Sequence, residues 1–309
     1  SYATGGEDPL HYHLFNVATH LLATLTLFGL LRRTLRRSAF PEEVRGASLS
    51  LAAAAALLWA VHPLLTESVT YVVQRCESLM GLFMLLTLYG VVRAAECEEA
   101  AAQGGDASGG VAPRLWRAMA VAACAAGMAA KEVMVVAPVV VLVYDALFLS
   151  DSWGAPLRRR GLFYAALAAT WGILAALRVG ADDQGDSAGF GRSAITPAQY
   201  ALTQPGVILH YLRLSFWPEP LCFDYGWPVA QGVAQIFPAA LVVGGLLAAT
   251  AWGLGRRRPW AFAGGWFFLI LAPTSSVMPI NDLAAERRMY LPLAAVMAGV
   301  ADDPSLACV

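Results

Sequence analysis

Nine apolar runs divide this chain, and clusters of arginine gather at alternate gaps between them. A helix that crosses a bilayer needs about 17–25 predominantly apolar residues. Runs of that kind lie near residues 12–31, 47–65, 79–95, 116–130, 133–149, 161–178, 233–254, 259–276 and 289–301, with those at 116–130 and 289–301 on the short side. Only 14% of the 309 residues are charged and 58% are hydrophobic, whereas a soluble domain is about a quarter charged. In lipid every backbone polar group must be satisfied within its own segment or a closed barrel. The expected fold class is therefore all-α: a polytopic transmembrane helical bundle of about nine spans.

The arginines orient the bundle, because basic loops stay on the cytoplasmic side. Arg32, Arg33, Arg36 and Arg37 follow the first run; Arg158, Arg159 and Arg160 precede the sixth; Arg256, Arg257 and Arg258 separate the seventh and eighth. Arg93, Arg114 and Arg117 flank the gap between the third and fourth. Alternating spans place all of these, with Arg45, on one side, which then holds 14 of the 21 basic residues. The Gly- and Ala-rich stretch 96–115 falls there too and reads as a flexible linker. The external or lumenal face receives the segment 179–232 and every polar constellation discussed below. A net charge of −1 argues against a nucleic-acid partner. The five cysteines (Cys76, Cys97, Cys124, Cys222 and Cys308) have neither metal spacing nor a paired pattern. The chain opens without Met and ends soon after an apolar run, so residues 1–309 are expected to be a membrane domain truncated at both ends.

Ionisable residues at a membrane edge are costly and usually functional. "VHPLLTESVTYVVQRCESL" (61–79) concentrates them. At 100° per residue, Glu67, Tyr71, Arg75 and Glu77 fall on one half of a helix and Val69, Val72, Val73 and Cys76 on the other. This predicts an external amphipathic helix lying along the membrane surface, its polar face either solvated or turned to a cavity. Pro63 ends the preceding span, and His62 either caps that bend or donates to an anion. Lys131, the single lysine beside twenty arginines, sits with Glu132 at a span boundary; it is either a snorkelling anchor or a point charge for phosphate. "ERRMYLP" puts Glu286, Arg287 and Arg288 at the external mouth of the last run, against the orientation rule. A phosphate-bearing ligand accounts for such a pair, the alternative being a lipid-headgroup contact. Asp224, within "LCFDYGWP", stands beside Tyr225 and Trp227, either in an interfacial aromatic belt or against a sugar or peptide. His13, Asn16 and His20 share a helix face, where a hydrogen-bonded helix contact is favoured over metal ligation.

In this order "YHLFNVATH", "HPLLTESVTYVVQRCESL", "KEVMVVAPVVVLVYD", "LCFDYGWP" and "AAERRMYLP" resemble the transmembrane, tetratricopeptide-repeat-containing O-mannosyltransferase family and its bacterial relatives, which are GT-C membrane glycosyltransferases. "ERRMYLP" and the Ala- and Arg-rich composition are closer to the bacterial type. The resemblance implies transfer of a mannose-like sugar from a polyprenyl-phosphate donor to a protein Ser/Thr or other hydroxyl on the external or lumenal face. It implies partners in that donor, a protein acceptor and the lipid bilayer, and no certain cofactor, a divalent metal being compatible. It locates the chain in a bacterial inner membrane, or in the endoplasmic reticulum membrane of a eukaryote. Family members carry a first span and an acidic external loop with the catalytic aspartate ahead of the first motif, and repeats after the last. This stretch has neither, so by itself it is expected to be inactive. On this reading Arg75, Lys131, Arg287 and Arg288 are the donor-phosphate residues. Glu67 and Asp224 serve the acceptor or orient those cations, supported by His62, Tyr71, Glu77, Glu132 and Glu286, with no metal ligand assigned. The alternatives are a lipid-linked-sugar flippase, whose charges belong at mid-membrane depth, and a non-catalytic anchor for a repeat domain.

Overall fold

The structure is a computed structural model that describes residues 9–71, 74–103, 113–180, 195–276 and 280–301. Every regular element among them is helical: α1 (Pro9–Leu35), α2 (Glu42–Gly46), α3 (Ser48–Ala60), α4 (Thr66–Thr70), α5 (Arg75–Ala102), α6 (Pro113–Ala130), α7 (Ala137–Phe148), α8 (Ala155–Ala169), α9 (Trp171–Gly180), α10 (Pro197–Phe216), α11 (Val233–Gly255), α12 (Ala261–Leu271) and α13 (Pro292–Ala301), with 3₁₀ turns at Pro63–Leu65, Glu132–Val136 and Glu286–Met289.

Among the described residues, four helical stretches are long and apolar enough to cross a membrane: α1, α5, Ala155–Leu177 (α8 with α9) and α11. A fifth crossing is supplied if α3 and the Pro63–Thr70 stretch, which bend by 54°, count as one. The remaining apolar runs of the sequence fall short of a crossing as single helices. The run at 133–149 divides into a 3₁₀ turn and the 12-residue α7, and α12 and α13 have 11 and 10 residues. Hydropathy counts apolar residues whether or not the backbone breaks among them; the run at 116–130, in the unbroken 18-residue α6, falls short instead because Pro113, Arg114 and Arg117 share that helix.

Helix α5 is the axis of the bundle. Some 72% of its most apolar window is buried, against 17% for α11. Small residues let neighbours approach it. Gly81 lies against the Tyr290 ring, and a Cβ on Gly90 would stand 2.9 Å from the Trp116 carbonyl of α6. Met80, Met84, Leu85 and Leu88 fill the adjoining core with Trp59, Leu64 and Met128. The outer helices keep large apolar side chains on the surface, Leu25, Leu162 and Leu241 among them, as a lipid-facing surface requires.

The expected amphipathic helix over 67–79 is not a single helix. Helix α4 ends at Thr70, Tyr71 is extended (ψ 119°), and Arg75 begins α5. The run Val69-Thr70-Tyr71-Val72-Val73 is β-branched and aromatic, a composition of weak helix propensity. Its freed Tyr71 carbonyl accepts from Asn16 Nδ2 at 3.4 Å. The predicted faces fail with it, since Glu77 is buried while Cys76 is exposed.

The segment expected to be external carries the 20-residue α10, opened by a capping box: Thr196 Oγ1 accepts from Gln199 N, and Gln199 Oε1 accepts from Thr196 N. Such reciprocal bonding satisfies two donors that a helix start leaves orphaned. Near its start Tyr200 donates to the Thr274 carbonyl; near its end the Ser215 carbonyl meets His62. Both partners belong to the same end of the bundle, so α10 runs across that end.

At the opposite end the arginines meet carboxylates. Arg33 bonds Glu96 at 2.8 Å, Arg37 bonds Glu99, and Arg117 and Arg160 share Glu98. Arg160 Nη1 also donates to both Asp145 oxygens, at 2.9 and 2.8 Å, and Asp145, fully buried, accepts from Tyr164 and Ser150 as well. Arg257 donates to the Ala146 and Ser150 carbonyls at the end of α7, satisfying acceptors a helix C-terminus leaves free. The clusters that the orientation argument grouped by parity are thus grouped in space.

Candidate functional site

The other end of the bundle gathers the ionisable residues that the sequence singled out. Three segments assemble there: the bend after α3, the junction of α6 with α7, and residues 282–291. The last is pinned by aromatic side chains of three helices. Trp59 donates to the Tyr290 carbonyl at 2.7 Å, and Trp266 to the Leu291 carbonyl at 2.7 Å. His20 Nε2 lies 3.0 Å from the Ala60 carbonyl, and its Nδ1 lies 3.0 Å from the Tyr290 hydroxyl. A carbonyl only accepts, so Nε2 carries the proton and Nδ1 accepts from the tyrosine. His20 is thus the helix contact expected of it, and His13 is exposed.

Glu67 opens α4 and is 8% exposed. Its Oε2 accepts from the Arg287 backbone N–H at 2.9 Å and its Oε1 from Arg287 Nη1 at 2.8 Å. The other Arg287 nitrogen reaches Asp282 at 2.5 Å. Glu77, in the first turn of α5 and 3% exposed, accepts from Lys131. In both couples the carboxylate is buried and the cation is the more accessible partner, with 19% of its side chain exposed. Burying a carboxylate is costly unless a cation pairs with it, and each cation does that.

Arg288 is different. It is 7% exposed and its guanidinium spans the turn that carries it, bonding the Leu283 carbonyl at 3.1 Å, the Asp282 carbonyl, and the Tyr200 hydroxyl at 3.4 Å. These contacts brace the 282–288 loop against α10. Tyr211 adds a second brace, accepting from Ala285 N at 2.7 Å and donating to its carbonyl at 3.0 Å.

Glu286, 4% exposed, faces the loop after α10, where its Oε1 accepts from Cys222 N at 2.7 Å and from the Tyr225 hydroxyl at 2.6 Å. Burial pushes its carboxyl above the ordinary value; the two hydrogen bonds oppose that rise and the nearby Glu67 charge adds to it. Asp224, in the same loop, is exposed and accepts from Gly226 N at 3.0 Å. Gly226 has φ +49°, a conformation that favours glycine. Tyr225 and Trp227 pack on His210 of α10, with ring centroids 4.9 and 4.8 Å away.

His62 caps the bend: its Nδ1 accepts from Leu64 N at 3.2 Å and its Nε2 donates to the Ser215 carbonyl at 3.1 Å. Of its two sequence-level roles, the structure shows the cap. Arg75 is exposed with its guanidinium 5.8 Å from the Tyr12 ring centre, and Tyr71 packs edge-to-face on Phe223 at 5.0 Å. Glu132 lies in the 3₁₀ turn after Lys131, half-buried. Among the described residues no group of three His, Cys, Asp or Glu side chains is placed to hold a metal ion.

Several members of this end escaped the sequence reading. Asp282, Tyr200, Tyr211 and His210 carry no motif. Only the short spacing from Asp282 to Arg287 hinted at a pair.

An all-helical membrane protein in which buried carboxylates hold more accessible cations, Glu77 with Lys131 and Glu67 with Arg287, at one end of its bundle is the class that fold and site define. In sequence the chain is similar to protein O-mannosyl-transferases. It is 27% identical to human TMTC4 over 334 aligned residues, covering 94% of this chain and 43% of that protein. Human TMTC1 matches at 33% over 47% of the chain and 15% of that protein, and Xenopus laevis tmtc2 at 39% over 28% of the chain and 9% of that protein. The chain therefore spans less than half the length of these relatives. No protein-family model matches it, and no solved structure does.

Proposed function

We propose that this chain is the membrane part of a GT-C-type glycosyltransferase that takes a mannose-like sugar from a polyprenyl-phosphate donor and passes it to a protein hydroxyl at the external or lumenal face. The observation that carries the reading is the pairing of accessible cations with buried carboxylates, Lys131 with Glu77 and Arg287 with Glu67, at the end away from the arginine clusters. The similarity to O-mannosyl-transferases over 94% of the chain supports it.

The chemistry suits a donor whose phosphate sits at the membrane surface. As the sugar leaves, negative charge develops on the phosphate, and preplaced cations stabilise it. Lys131 and Arg287 are each held by a carboxylate that fixes position without burying the cation. A phosphate arriving at such a cation competes with, or joins, that carboxylate. Glu67 and Glu77 are then positioning residues. Arg288 holds the loop that presents Arg287, and Glu286 ties that loop to the segment bearing Asp224. Asp224 is the exposed carboxylate on the acceptor side. Arg75, exposed beside Tyr12, is assigned to the donor's phosphate from the α1 side.

Binding is the direct test. The chain in lipid nanodiscs would be titrated with a polyprenyl-phosphate mannose. Lys131→Ala and Arg287→Ala are each expected to weaken binding by roughly ten- to a hundredfold, the effect of losing one hydrogen bond to a charged group. Because these variants also orphan a buried carboxylate, the paired variants Lys131→Gln/Glu77→Gln and Arg287→Gln/Glu67→Gln are measured with them. Folded variants that bind the donor as the parent does would remove the phosphate assignment.

A further inference from the structure

We propose that the groove between α1 and α5, at the arginine end, binds the phosphate headgroup of an anionic phospholipid. This inference is independent of the glycosyltransferase reading. The groove encloses about 530 Å³. Leu25 and Phe28 form its apolar wall, Tyr89 of α5 faces them, and Arg32, Arg33, Arg36 and Arg37 rim it with Glu96 and Glu99.

The charges in that rim do not cancel. Arg33 is committed to Glu96 and Arg37 to Glu99. Arg32 and Arg36 are exposed and make no hydrogen bond or ion pair among the described residues. Arg32 lies in the last turn of α1 and Arg36 in the turn that follows it, and both line this groove. Two guanidiniums without carboxylates beside a cavity suit a phosphate monoanion, whose oxygens match their paired N–H donors.

The wall identifies the source of that phosphate. Leu25 is 65% exposed and lies about two helical turns from Arg32 on the side toward mid-bundle. A free anion gains nothing from such a surface, whereas a phospholipid lays its chain on the wall and its headgroup in the rim. Basic pockets between transmembrane helices bind anionic headgroups in this way. A second groove at the same end, of about 410 Å³, has a similar layout, with Arg114 and Arg159 near Leu162. There Arg117, Arg159 and Arg160 are already on carboxylates, so less charge remains for a ligand.

The test uses the purified chain in nanodiscs of neutral phosphatidylcholine, into which phosphatidylglycerol is titrated while native mass spectrometry counts retained lipid. Preferential retention of phosphatidylglycerol is expected, and the variant Arg32→Gln/Arg36→Gln should lose it by about ten- to thirtyfold, the effect of two cations near an anionic headgroup. Arg32→Lys/Arg36→Lys should keep most of it. Neither change removes a pairing partner, so both variants should fold, which an unchanged melting temperature would report. Retention that survives Arg32→Gln/Arg36→Gln overturns the proposal, as does an equal loss in Arg114→Gln, which would indicate a diffuse basic belt. Displacement of the lipid by millimolar inorganic phosphate would also overturn it, by assigning the rim to a soluble anion.

Discussion

Both ends of this bundle are built from arginine, carboxylate and tyrosine, yet they use them differently. At the arginine end the typical pair is shared evenly with solvent: Arg33 and Glu96 have 29% and 28% of their side chains exposed. At the other end the burden falls on one partner. Glu77 has 4% exposed against 19% for Lys131, and Glu67 has 5% against 19% for Arg287. Evenly exposed pairs are worth little, about 0–1 kcal/mol, because water solvates both charges as well as they solvate each other. A pair with one buried member is asymmetric: the carboxylate depends on its cation, while the cation still has access to a ligand. The same residue types therefore make a solvated rim at one end and preset cations at the other.

Asp145 breaks the contrast and supplies the strongest test of it. It lies at the arginine end but is fully buried, held by Arg160, Tyr164 and Ser150. Asp145→Ala leaves the mostly buried Arg160 guanidinium with Glu98 alone and two hydroxyls without their acceptor. Breaking such a pair costs about 3–5 kcal/mol, so a large fall in thermal stability in detergent is expected. A loss below about 1 kcal/mol would mean that burial does not govern the energetics at this end.

A smaller effect sharpens the account of the other end. The Glu286 carboxyl is raised above its ordinary value of 4.5, first by burial. A raised folded value means that the folded state holds its proton more tightly than the unfolded chain does. Its contribution is then fully present below the unfolded value and is lost as pH rises through the folded one. Glu286→Gln should therefore flatten the decline in stability just above pH 4.5, measured as melting temperature against pH beside the parent. Identical profiles would show that Glu286 titrates as a solvated carboxylate.

The smallest effect is expected where both partners are half-solvated. Arg93→Gln removes a guanidinium that bonds Glu96 at 3.1 Å, each with 28% of its side chain exposed. Glu96 keeps Arg33, so the change should cost under about 1 kcal/mol and shrink further in high salt. A larger, salt-insensitive loss would show that the arginine end is as dry as the other.

Length and hydropathy alone determined that this chain is helical and suited to a membrane, because those properties add up residue by residue along the backbone. Parity of the apolar runs also sorted the arginines to one end and the motifs "HPLLTE", "KE" and "ERRMY" to the other, since each long helix carries the chain from end to end. Three matters were decided only in three dimensions. The Tyr71 carbonyl, freed where the helix expected over 67–79 breaks, finds its donor in Asn16, 55 residues away. Arg287 and Arg288 are neighbours in sequence with opposite fates, one on Glu67 across 220 residues and the other folded onto its own loop. Arg32 and Arg33 divide in the same way, one without a partner among the described residues and one on Glu96. Charge and periodicity are local properties, but neutralisation depends on which side chain lies within about 3 Å, and that distance is set by the packing of helices far apart in the chain.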